Sequence, residues 1–234
     1  MNQIITQHGW CLNANMWQNL KIKFKEDNFL WQDNERGYFY AKYKDSKWIQ
    51  NSTTHNNIQM VICHSLGTKL INPKVLRKAS HAVLINSFFD FIPKNNRREL
   101  IIRTLKKMEK KINPKEIQSL IKEFITNAFL PNPIEDNLQE IFKSKYKEIN
   151  LKILLDDFQK LYLENRGYKL FSEDCEILIL KSNNDSILEE NSISNLIRIL
   201  NQIQNQKPKV IQLDKQGHLI IGNQIFHNIK KWLN

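Results

Sequence analysis

Short apolar runs bounded by polar or turn-forming residues recur along this chain, and most are separated by stretches with apolar residues three or four apart. Strands are expected at 2–6, 36–41, 59–63, 81–86, 176–181 and 208–213. The run Ile177, Leu178, Ile179, Leu180 is apolar at every position, which is the pattern of a strand buried on both faces. Strand–helix alternation of this kind predicts a mostly parallel sheet covered by helices on both sides. The first helix is expected near Ala14, turning Met16, Trp17 and Leu20 toward the sheet. The region 42–57 is polar and too short for a developed helix.

Between the strand ending at Asn86 and the one starting at Glu176 the periodicity becomes wholly helical. Ile101, Leu105, Met108 and Ile112 form one stripe, and Ile117, Leu120, Ile121, Phe124 and Ile125 form a second. Asn113, Pro114 and Glu116 supply a start signal for the second helix: a cap residue, an early proline and a glutamate able to close a capping box. Further helical positions are Leu138, Ile141 and Phe142, then Leu151, Leu154, Leu155 and Phe158. The expected organisation is an α/β core built from 1–86 and 170–234, with a helical cap inserted at 87–169 that roofs a site and selects its substrate.

Candidate chemistry sits at the ends of the predicted strands. Met60, Val61 and Ile62 lead into Cys63, His64, Ser65, Leu66, Gly67. A strand ending in x-x-Ser-x-Gly before a helix resembles the nucleophile elbow of α/β-hydrolases, in which a sharp turn lifts the serine hydroxyl above the sheet. Ser-x-Gly is a common tripeptide, and a serine after a strand is often only a turn residue. The upstream Ile4, Ile5, Thr6 run followed by His8, Gly9, Trp10 adds weight, because an HG-x loop supplies one N–H of an oxyanion hole and the residue after the serine supplies the other. Trp10 and Leu66 are the expected donors.

Downstream, Asp185 follows one predicted strand and His218 follows the next, so the order Ser65, Asp185, His218 is the one this fold requires. His218 is the expected base and Asp185 the acid that orients it. Asp174 and Asp214 compete for the acid's role, but Asp174 precedes its strand and Asp214 leaves the strand nearest His218. His8 and His64 are assigned to packing or hydrogen bonding of their turns, and His55, His81 and His227 to structural roles. No metal-ligand spacing is present and no cofactor is implied.

Composition narrows the class without naming the reaction. With 234 residues and 41% hydrophobic content, the chain can bury one α/β core carrying an insertion. No 18-residue apolar span is present, the start has no leader pattern, and three cysteines make no disulfide framework; a cytoplasmic, monomeric protein without membrane attachment is expected. The net charge of +11 is uneven: residues 94–122 hold ten Lys or Arg against Glu99, Glu109 and Glu116, or +7. Arg97, Arg98, Arg103, Lys106, Lys107, Lys110 and Lys122 give the cap a basic face. Such a face is either a solvated lysine-rich surface or a docking surface for an acidic macromolecule. Without a nucleic-acid-binding module or an aromatic platform, an acidic carrier protein suits it better than nucleic acid.

The run His8, Gly9, Trp10, Cys11, Leu12, Asn13, Ala14, with Trp17 beyond it, resembles the HGW-x-LNA loop of the pimeloyl-acyl-carrier-protein methyl ester esterases of biotin synthesis. The elbow Ser65, Leu66, Gly67, the segment Asn184 to Leu188 and the pair Gly217, His218 follow in that family's order. The resemblance implies a serine carboxylesterase that cleaves the methyl ester of a pimeloyl chain carried on acyl carrier protein. It also implies carrier docking on basic cap residues, and a pocket lined by Trp10, Phe124 and Ala128. The chain departs from the pattern at Cys63, where the elbow glycine stands, and at Thr68, where a second glycine is common. Two other readings stay open: a generic esterase or acyl thioesterase, and a non-catalytic protein of the same fold.

Overall fold

The computed structural model describes residues 1–39, 41–49, 57–134, 148–164, 170–220 and 223–234. Six strands run in chain order: β1 Gln3–Gln7, β2 Leu30–Asp33, β3 Gln59–His64, β4 His81–Ile85, β5 Glu176–Ser182 and β6 Lys209–Leu213. They form one sheet in the order β2-β1-β3-β4-β5-β6, and every neighbouring pair is parallel.

The pleat sorts each apolar run between two cores. Ile5, Val61, Cys63, Ala82, Leu84, Ile177 and Ile179 face one side, where they meet α3 (Pro73–Lys78) and α7 (Glu190–Ile203) through Val75, Leu76, Leu196 and Leu200. Ile4, Met60, Ile62, Val83, Ile85, Leu178 and Leu180 face the other, against Leu20 and Phe24 of α1 (Gln18–Glu26) and Ile225 and Ile229 of α8 (Gln224–Leu233). Continuous apolar strands are what a sheet covered on both faces requires. The first helical turn is 3₁₀, Ala14–Trp17, capped by the Asn13 side chain accepting from the Asn15 N–H, and Trp17 is fully buried as its position predicts.

The strand expected at 36–41 is not there; the second strand lies earlier, at Leu30–Asp33. Gly37 takes a left-handed φ of 74°, which breaks the extended path. Tyr38 then turns away from the sheet into the helical layer, where its hydroxyl donates to Asp157 at 2.7 Å. Tyr38 is fully buried as the pattern demands, but against helices.

The helical region between β4 and β5 contains α4 (Arg98–Lys110), α5 (Ile117–Phe129) and α6 (Leu151–Phe158), the last prolonged by a 3₁₀ turn at Gln159–Tyr162. The Asn113 carboxamide accepts from the N–H groups of Lys115 and Glu116, and its amide donates to Glu116 Oε2 at 2.9 Å, so the expected start signal forms just ahead of α5. Leu105, Leu120, Ile121, Ile125, Leu154 and Phe158 pack with Trp10, Leu66 and Phe88, residues of the loops that leave β1, β3 and β4. These helices therefore sit over the carboxyl ends of the strands. The helical positions expected at Leu138, Ile141 and Phe142 lie outside the described residues.

Candidate active site

The elbow forms where the sequence puts it. β3 ends at His64, Ser65 takes a φ of 53°, and the short helix α2 (Gly67–Leu70) follows. The Ser65 N–H donates to the Ile85 carbonyl at 2.9 Å, tying the turn to β4. A Cβ at Gly67 would lie 2.6 Å from the Gln7 carbonyl, so only glycine lets the turn pass this close to β1. Cys63 stands within β3, fully buried among Ile5, Val61 and Leu76, and burial raises its thiol well above the ordinary value. It is a small packing residue two positions before the tight point. Thr68 is buried too and donates to the Phe88 carbonyl at 3.4 Å.

Ser65, His218 and Asp185 meet in one hydrogen-bonded chain. Ser65 Oγ lies 2.8 Å from His218 Nε2, and His218 Nδ1 lies 2.7 Å from Asp185 Oδ2. The other carboxylate oxygen of Asp185 accepts from the N–H groups of Ile187 and Leu188 at 2.8 and 2.9 Å. Burial alone would raise the Asp185 carboxyl; the charge and hydrogen bond of His218 and those two N–H groups outweigh it and lower it below 3.8. A carboxylate on Nδ1 fixes the tautomer whose Nε2 accepts from a hydroxyl. The competing aspartates lie elsewhere: Asp174 accepts from Asn205 at 2.7 Å and Asp214 from Asn183 at 3.0 Å, both exposed.

The HG-x loop packs directly on the elbow, since a Cβ at Gly9 would lie 2.9 Å from Ser65 Cβ. Neither Trp10 nor Leu66 spends its main-chain N–H on a hydrogen bond among the described residues. The Trp10 indole donates to the Leu154 carbonyl at 2.8 Å and meets Phe124 and Phe158 edge-on at 5.1 and 5.0 Å. Such aromatic contacts contribute about 0.5–1.5 kcal/mol each beyond the area they bury.

A cavity of about 290 Å³ opens onto Ser65. Trp10, Leu66, Ile101, Leu105, Met108, Leu120, Phe124 and Phe158 make its wall apolar, while Arg97, Glu123 and Glu189 stand among its polar residues. Ala128 does not line it. It is buried in the seam between α5 and the loop carrying His218, where its carbonyl accepts from the Leu219 N–H at 2.8 Å and lies 2.8 Å from where a Gly217 Cβ would stand.

The basic residues of α4 divide. Arg97 lines the cavity and pairs with Glu189 at 3.1 Å, and Arg98 pairs with Glu164 at 3.6 Å. Arg103, Lys106, Lys107 and Lys110 are exposed away from the cavity, as is Lys122 on α5. No group of His, Cys, Asp and Glu suited to a metal ion occurs among the described residues, nor does a helix long and apolar enough to cross a membrane.

Sequence reasoning missed Asn86 and Ser182, buried side chains hydrogen-bonded to one another beneath the His218 loop. It also missed the Arg36–Asp157 pair that fastens α6 to the core. One signal for Asn86 was available: a polar residue ending an apolar strand beside the elbow strand.

No protein-family model matches this chain, and no curated protein matches its sequence. Solved structures do match over nearly the whole length. The bromoperoxidase of Bacillus anthracis is 13% identical and superposes with a TM-score of 0.73, covering 99% of this chain and 90% of its own. An esterase from Exiguobacterium antarcticum is 14% identical, with a TM-score of 0.66 and coverage of 99% and 89%. A hydrolase from Oleispira antarctica is 14% identical, with a TM-score of 0.65 and coverage of 98% and 91%. The parallel sheet, the flanking helices and this likeness establish that the chain has the α/β-hydrolase fold.

Proposed function

We propose that this protein is a serine carboxylic ester hydrolase. The observation that carries the reading is the chain of 2.8 and 2.7 Å contacts from Ser65 through His218 to Asp185. Ser65 Oγ attacks the ester carbonyl carbon while His218 Nε2 takes the hydroxyl proton, and Asp185 stabilises the imidazolium so formed. The tetrahedral oxyanion is received by the N–H groups of Trp10 and Leu66. Collapse breaks the carbon–alkoxy bond, His218 returns its proton to the departing alcohol, and water then hydrolyses the acyl-serine by the same route.

The finer reading is an ester at the end of a pimeloyl chain carried by acyl carrier protein. The apolar cavity supports an acyl substrate, the basic outer face of α4 supports an acidic carrier, and the loop running from His8 to Ala14 resembles that of the esterases with this activity. The helices between β4 and β5 then serve as a substrate-selecting cap. A second reading, a small free ester, is favoured by the orientation of α4: Arg103, Lys106 and Lys107 lie off the cavity that its other face lines.

Ser65 should be labelled by a fluorophosphonate probe in the wild type, and Ser65→Ala should abolish both labelling and ester hydrolysis; hydrolysis that survives the substitution refutes the serine mechanism. Charge reversal at Arg103, Lys106 and Lys107 separates the substrates. Turnover of a carrier-linked methyl ester should fall by about tenfold or more, and lose its salt sensitivity, while a p-nitrophenyl ester is unaffected. Equal rates on both substrates leave the small-ester reading standing.

A further inference from the structure

The base is held from below by side chains that take no part in proton transfer. His64, inside the elbow, is buried, and its Nε2 lies 2.9 Å from the His218 carbonyl. A carbonyl only accepts, so Nε2 carries the hydrogen and Nδ1 is bare; Nδ1 has no partner among the described residues. Asn86, at the end of β4, takes a φ of 42° and directs its amide to the same carbonyl at 2.8 Å. That amide also lies 3.3 Å from the Gly217 carbonyl and donates to Ser182 Oγ at 2.8 Å. Ser182, ending β5, donates its hydroxyl to the Gly217 carbonyl at 2.6 Å, and its N–H is accepted by Asn86 Oδ1 at 2.8 Å.

Two consecutive carbonyls of the loop are thus held by side chains from three adjacent strands. From the other side the loop meets the end of α5, where a Cβ at Gly217 would lie 2.2 Å from the Leu130 carbonyl and 3.0 Å from that of Phe129. Donors beneath and backbone above leave the peptide between Gly217 and His218 one position.

Resting on the reading of His218 as the base, we infer that His64, Asn86 and Ser182 are positioning residues that aim the imidazole at Ser65 through its own backbone. Two features argue against simple core filling. Burying three polar side chains costs more than apolar replacement, the more so with His64 Nδ1 left unpaired among the described residues, yet their donors converge on the carbonyls of Gly217 and His218. Asn86 also takes a left-handed φ of 42°, a conformation that residues with a Cβ seldom adopt and that asparagine tolerates better than most. His64 remains neutral, since burial and then the neighbouring His218 lower it to about 3, so it adds no positive charge to oppose an imidazolium at His218.

The test compares His64→Leu, His64→Gln, Asn86→Ala and Ser182→Ala in the full chain. His64→Leu and Asn86→Ala should each lower kcat on a short ester by about tenfold to a hundredfold with little change in KM, because a small misplacement of a catalytic group costs that much. His64→Gln, whose amide can donate from nearly the same place, should recover most of the loss. The downfield proton resonance of the His218–Asp185 hydrogen bond should shift or broaden in His64→Leu and Asn86→Ala and return in His64→Gln. Wild-type kcat with an unchanged resonance in the folded variants, even with a lowered melting temperature, overturns the inference. Should the larger substitutions not fold, Ser182→Ala decides: a several-fold loss of kcat supports positioning and none refutes it. The resonance does not depend on turnover, so a wild type that neither labels nor hydrolyses would sink the esterase reading while the positioning of His218 is still measured.

Discussion

Asp157 and Asp185 are both carboxylates withdrawn from solvent, yet their surroundings differ in kind. Asp157, on α6, receives the Arg36 guanidinium at 2.7 and 2.8 Å, the Tyr38 hydroxyl at 2.7 Å and the ammonium of Lys160. Asp185 receives two backbone N–H groups and one imidazole, and that imidazole keeps its second nitrogen for Ser65. Burial would raise both carboxyls, and in both it is outweighed by the hydrogen bonds and charges around them, so both lie below 3.8. The first cluster is closed: among the described residues its donors lead on to no hydroxyl or thiol nucleophile. The second is open at one end, so charge developing on His218 can be used on a hydroxyl. Burial and a depressed carboxyl therefore do not by themselves mark a catalytic acid; the partner's ability to pass on a proton does.

Substitution of each acid by its amide should break this comparison most sharply. Asp185→Asn should lower kcat by about 10⁴-fold, because the wrong tautomer of His218 is then favoured, with the fold retained. Stopped turnover and unchanged circular dichroism would establish that pattern. Asp157→Asn should do the reverse. It leaves the half-buried Arg36 against a neutral partner and should cost up to about 3 kcal/mol in urea unfolding, the low end for a buried pair, while the folded fraction keeps its kcat within a few-fold. Equal losses of activity in the two variants would erase the distinction.

A smaller effect sharpens it by pH. His64 has a folded value of about 3 against an ordinary 6.5, so the unfolded chain binds a proton there that the folded chain refuses. Its share of stability is full above about pH 6.5 and falls as pH drops toward 3. The lowered carboxyls Asp157 and Asp185 contribute stability present above 3.8 and lost as pH falls through their folded values. In denaturation across pH, His64→Gln should flatten the slope between 6.5 and 3, whereas Asp157→Asn should alter the slope only below about 4. A slope unchanged in His64→Gln would mean that His64 is not held neutral.

The residues legible in the sequence are those whose task is set by local geometry. Ser65 and Gly67 were readable because a strand-to-helix turn this tight imposes its own pattern, and Asp185 and His218 because each follows an apolar strand directly. Tyr38 was misread: its apolar neighbours look the same whether the partner is a strand or a helix layer. The resemblance implied Ala128 in the pocket beside Phe124, but one helical turn on α5 has left the cavity and meets the loop that carries Gly217.

By itself the sequence determined the parallel sheet, the elbow, the order of Ser65, Asp185 and His218 and the uneven charge. Each of these depends on neighbours along the chain, through period, turn chemistry or composition. Only the tertiary structure decided that Asp157 is sealed and Asp185 open, that His64, Asn86 and Ser182 converge on one loop, and which face of α4 lines the cavity. The hydrogen bonds that set the His218 loop reach far along the chain, 96 positions for Asn86–Ser182 and 154 for His64–His218, and no local pattern encodes such a hydrogen bond.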